Sequence, residues 1–110
     1  MKKIIIALFV ALITCSSTEA RRAADRYKTS CISAGYLTQA SVVCKGEIDR
    51  FIKSSIKIMH SGDLGEFSDS YPDISKKWMM DGVAAFNADV FNKGISAACK
   101  AARRLSDKSR

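Results

Sequence analysis

The chain has 110 residues, with 18 lysines and arginines against 11 acids, one histidine, one proline and four cysteines. That length allows one small domain with a modest core. The formal charge of +7 would suit nucleic acid in a cytosolic protein, but the N-terminus reads as an export signal and the C-terminal basic cluster, Lys100 to Arg110, has no aromatic residue to stack on bases. Nucleic acid is therefore excluded as the expected partner, in favour of another envelope protein or weak contact with an anionic surface.

The first 22 residues carry the localisation signal. Lys2 and Lys3 precede an unbroken apolar run from Ile4 to Ile13, the length of a signal-peptide core and too short to span a bilayer. Thr18-Glu19-Ala20 offers small residues at −3 and −1, so cleavage is expected between Ala20 and Arg21. The alternative is a lipobox ending at Cys15, with Leu12 at −3, which would make an outer-membrane lipoprotein. Its weakness is Thr14, larger than the residue usually found just before the lipidated cysteine. The expected division is residues 1–20 as signal peptide and 21–110 as a single helical domain in the periplasm, with a formal charge of +6.

Beyond the signal, Ala23 to about Val43 has only Gly35 as a breaker, with Tyr27, Cys31, Ala34, Thr38 and Val42 at three- and four-residue steps. From Gly46 onward Ile48, Phe51, Ile52 and Met59 form one stripe that extends back one turn to Cys44, with Lys45, Asp49, Lys53 and Lys57 on the other face. Lys45-Gly46 either bends one helix or separates two. Ser61 to Asp69 reads as a connector punctuated by Gly62 and Gly65. Ser70-Tyr71-Pro72-Asp73 then reads as a helix start, with Ser70 as cap and proline in the first turn.

The last helical stretch runs from Ile74 to about Leu105. Met79, Val83, Phe86 and Val90 make its stripe, continued by Phe91, Ile95, Ala98, Ala102 and Leu105. Gly82 and Gly94 weaken this stretch, which predicts a kink near Met80-Asp81-Gly82, and Ser106 to Arg110 are expected to fray. No run has strand periodicity. The expected fold is all-α, a small antiparallel helical hairpin or bundle stapled by one disulfide.

Three cysteines remain after the signal: Cys31, Cys44 and Cys99. In an oxidising compartment an odd count means one disulfide and a leftover thiol, which could also join two copies of the chain. On one helix Cys31 and Cys44 would lie about 20 Å apart, too far to bridge. In an antiparallel hairpin closed by residues 61–72, Cys31 falls about one turn from the level of Cys99, whereas Cys44 is about 13 Å off level. The expected pair is Cys31–Cys99. Cys44–Cys99 is the alternative should Gly35 or Gly46 fold the first helix back.

No catalytic set emerges. Cys44 and His60 would be about 24 Å apart on one helix, no cysteine–histidine spacing suits zinc, and no carboxylate pair sits in an apolar setting. Catalytic residues, metal and cofactor are all expected to be absent. The candidate binding residues are Tyr71, Trp78 and Met80, since Trp and Met serve as protein anchors. Trp78 and Met79 cannot point the same way as Met80, which predicts exposure of one of them.

The export signal, the early "CISAGYLTQASVVC" holding Cys31 and Cys44, the following "RFI" and the late "AAC" ending at Cys99 together resemble the small exported proteins of conjugative type IV secretion regions, the TrbM/KikA kind. The layout is also similar to short phage-encoded periplasmic proteins that block lysis or superinfection. Either resemblance implies a non-enzymatic binding protein in the envelope: a conjugative-transfer accessory in the first case, an inhibitor such as an antiholin in the second.

Overall fold

The structure, a computed structural model, describes residues 25–109; Cys15 and the Ala20–Arg21 cleavage site lie outside them. The described part is all-α, with helices α1 (residues 25–43), α2 (Ile48–Met59), α3 (Leu64–Ser70), α4 (Pro72–Lys93) and α5 (Ile95–Lys108). No helix among the described residues is long and apolar enough to cross a membrane.

Two glycines set the topology. Gly46 has φ 85° and Gly94 has φ 90°, a left-handed region that side chains with a Cβ rarely enter. Gly46 turns α2 back along α1, where Ser55 Oγ donates to the Ala34 carbonyl at 3.0 Å and lies 2.9 Å from Thr38 Oγ. Gly94 separates α4 from α5, which runs beside α2 through Glu47–Arg103 and Ser54–Ser106. The last helical stretch is therefore two helices, broken at Gly94 and unbroken at Gly82. The connector contains the short α3. Pro72 does occupy the first turn of α4, but Tyr71 rather than Ser70 is the cap, and no side chain caps it.

Helices α1 and α4 run in the same direction. Cys31 meets Ser75 near the start of α4, whereas Tyr36 and Gln39, further along α1, meet Asp89 and Asn87 near the end of α4. They cross backbone to backbone. A Cβ on Gly35 would lie 1.9 Å from the Met79 carbonyl oxygen, and one on Gly82 would lie 2.0 Å from that of Ile32. The expected kink at Gly82 is absent because this glycine serves helix packing.

The core joins Leu37, Ala40 and Cys44 of the first leg to Phe51, Phe86, Ala98, Cys99 and Ala102. Small residues and buried serines bring the helices close. Ser54 and Ser106 pair their hydroxyls at 2.6 Å where α2 meets α5. Ser106 is fully buried and α5 continues to Lys108, so the expected fraying from Ser106 does not occur.

The disulfide is Cys44–Cys99, with Cα atoms 5.8 Å apart; the Cys31–Cys99 expectation is overturned. The reason is the fold-back at Gly46, which replaces one long hairpin by two shorter ones. Cys44 stands at the end of α1 near the α4–α5 turn, and Cys31 lies at the opposite end. Cys31 is a free thiol with no exposure, 3.6 Å from Ser75 Oγ. A bridge between copies through it would require the domain to open. One disulfide is compatible with an exported protein.

Tyr36 donates its hydroxyl hydrogen bond to Asp89 at 2.6 Å. Burial first, and then the Asp89 carboxylate that accepts this bond, hold the phenol well above the ordinary tyrosine value. The unfolded chain releases this proton near pH ~10 while the folded chain keeps it. The stability contributed is therefore complete below that pH and is lost as pH rises toward the folded pKa. The melting temperature should fall above about pH 10, and Tyr36→Phe should flatten that fall in a series of alkaline melts.

Candidate interaction surfaces

Three surfaces stand out, each produced by a different feature of the chain. The first is an aromatic corner where α3 joins the starts of α1 and α4. Phe67 is stacked between Tyr27, at 4.6 Å between ring centres, and Trp78, at 5.6 Å with the planes 5° apart. Tyr71 leans on Phe67 at 5.2 Å and remains 54% exposed, with Ile74 exposed beside it. The stack fixes Tyr71 at its base and leaves its outer part to solvent. A cleft of about 230 Å³ between Arg26, Ser30 and Leu64 borders this corner.

Of the expected binding residues, the structure brings Tyr71 and Trp78 together through Phe67 and separates Met80 from them. Met80 is two residues past Trp78, about 200° around the helix, and is 56% exposed on the outward side of α4. Trp78 and Met79 are half-buried, so the exposed member of the Trp78-Met79-Met80 trio is Met80.

The second surface was not legible as a site in the sequence. Met80, Asn87 and Phe91 are spaced i, i+7 and i+11 on α4 and share a face. Gln39 and Val42 share a face of α1, and the exposed Gln39–Asn87 hydrogen bond at 3.0 Å joins these two faces. On α2, Ser54 meets α5 and Ser55 meets α1. Continuing around the helix past Ser55 leads to Ile52, Ile56 and Ile48, on the outer flank of the α1–α2 seam.

Among the described residues, five of the eight exposed large apolar side chains thus fall on one α4–α1–α2 face: Met80, Phe91 (89% exposed), Val42 (75%), Ile48 and Ile56. Ile48 and Phe91, expected on apolar stripes, are exposed on this face, and Ile95, expected on the same stripe as Phe91, is exposed at the start of α5. Both sides of α4 carry apolar residues, and only the side with Gly82 and Phe86 meets the core. The signal available in the sequence was that surplus: an apolar residue at almost every angle of α4, which a single buried stripe does not use.

The third surface is a basic ridge of Lys100, Arg104 and Lys108 at i, i+4 and i+8, all exposed on α5. Its neighbour Arg103 is engaged with both oxygens of Glu47 at 2.7 and 2.8 Å. Arg50 likewise reaches Asp107. These solvent-exposed pairs align α2 with α5 and contribute little stability each.

Among the described residues no group of three or more histidines, cysteines or acids is placed to hold a metal ion. Cys44 is in the disulfide, and His60 is exposed at the end of α2. The chain matches no known protein-family model, no curated protein and no solved structure.

Proposed function

We propose that the protein is a non-enzymatic accessory factor of conjugative transfer, acting in the periplasm by binding another envelope protein through its aromatic corner. The observation that carries the binding mode is Tyr71, half-exposed against a three-ring stack. A tyrosine held by rigid neighbours offers a large amphipathic contact at little entropic cost. The envelope setting rests on the export signal and on a disulfide suited to an oxidising compartment. The conjugative role rests on the resemblance of the cysteine and helix layout.

Tyr71 is the residue to test, because Trp78 is half-buried on Phe67 and its truncation would disturb the stack. Deleting the gene from a donor strain should lower plasmid transfer, and the wild-type gene supplied in trans should restore it. Tyr71→Ala should fail to restore transfer while the exported protein keeps its level and helicity, and Tyr71→Phe should largely restore it. A hot-spot truncation of this kind weakens binding by about tenfold or more. Transfer unaffected by deletion would remove the conjugative role. Full rescue by Tyr71→Ala would remove the aromatic corner as the contact.

A further inference from the structure

The α4–α1–α2 face has a composition that suits lipid better than protein. Its exposed apolar members are Val42, Ile48, Ile56, Met80 and Phe91, with no tryptophan or tyrosine among them. Protein interfaces are enriched in tyrosine, tryptophan and arginine and depleted in lysine. Here the cations are lysines. Lys28 lies on the same side of α1 as Gln39 and Val42, and Lys76 on the same side of α4 as Met80. Lys45 and Lys77 are exposed beside the same face, where the nearest acids are Asp49 and Asp73. Lysines outnumber acids four to two, so the margin carries positive charge.

We infer that this face is a membrane-docking surface, which lays α1, α2 and α4 on a bilayer containing anionic phospholipid. Phe91, Val42 and the isoleucines enter the boundary between headgroups and acyl chains. The lysines reach outward along their aliphatic stems to the phosphates. The α5 ridge has cations without large exposed apolar neighbours, so it adds long-range attraction and no insertion. The inference is independent of the partner proposed for Tyr71, which belongs to the aromatic corner.

The test uses the exported, oxidised protein with Cys15→Ser, so that no acyl chain contributes. The protein should sediment with phosphatidylcholine vesicles that contain phosphatidylglycerol, and less with phosphatidylcholine alone. Val42→Ser combined with Phe91→Ser should weaken binding by about tenfold or more, with helicity unchanged. Lys100→Gln with Arg104→Gln should weaken it less. In a Trp78→Phe background, the fluorescence of the tryptophan introduced by Phe91→Trp should be quenched by lipids brominated on their acyl chains.

Failure of the wild-type face to bind anionic vesicles would overturn the inference. So would undiminished binding after Val42→Ser with Phe91→Ser, or absence of quenching. A dimer that depends on Phe91 and ignores vesicles would assign the face to a second copy of the chain instead.

Discussion

Gly82→Ala should unfold the α1–α4 pair or lower the melting temperature by well over 10 °C, by about 3 kcal/mol or more. In an exposed helix interior the same change would stabilise by about 1 kcal/mol. The sign reverses because the new methyl group would lie 2.0 Å from the Ile32 carbonyl oxygen and 2.7 Å from the Tyr36 amide nitrogen. Both are backbone atoms, so no rotamer change relieves the overlap and the helices must move apart. That movement would also stretch the Tyr36–Asp89 and Gln39–Asn87 hydrogen bonds. Gly35→Ala should behave alike, its methyl group meeting the Met79 carbonyl at 1.9 Å. Gly65→Ala is the control: its nearest neighbour would be 3.9 Å away, so the substitution should be neutral or slightly stabilising. Thermal melts followed by circular dichroism compare the three directly. Equal effects at Gly82 and Gly65 would contradict the backbone crossing.

Loss of the disulfide should have the next largest effect. Cys44 and Cys99 are 55 residues apart, and closing a loop of that length in the unfolded chain is worth about 4 kcal/mol in the chain-entropy model. Cys44→Ser and Cys99→Ser should therefore destabilise by similar amounts, and the double variant by scarcely more than either. Cys31→Ser should cost less, since the smaller hydroxyl remains within reach of Ser75 and no covalent link is lost. Melting under oxidising and reducing conditions separates the contributions. A reductant should lower the melting temperature of the wild type and leave Cys44→Ser unchanged. If Cys31→Ser were the most damaging of the three, the fold-back at Gly46 would be wrong.

The helices themselves were legible in the sequence because helical periodicity is a local property. The stripes around Phe51 and Phe86, the proline in the first turn of α4, and the all-α class with one disulfide follow from spacing and composition. Residues near a glycine were harder to place. Gly46, Gly82 and Gly94 all look like weak points in a helix, yet two reverse the chain and one lets two backbones touch. Local preference does not distinguish these roles, because what decides is the presence or absence of another helix beside the glycine.

The disulfide pairing, the burial of Ser106 and the separation of Met80 from Trp78 depend on those turns, and only the tertiary structure determined them. The same holds for the candidate surfaces. The sequence shows that α4 has apolar residues on both sides, but a helix in isolation does not reveal which side its neighbours cover. Packing placed Gly82 and Phe86 against α1 and the core because only the glycine side allows the close crossing, and this left Met80 and Phe91 facing outward beside Val42.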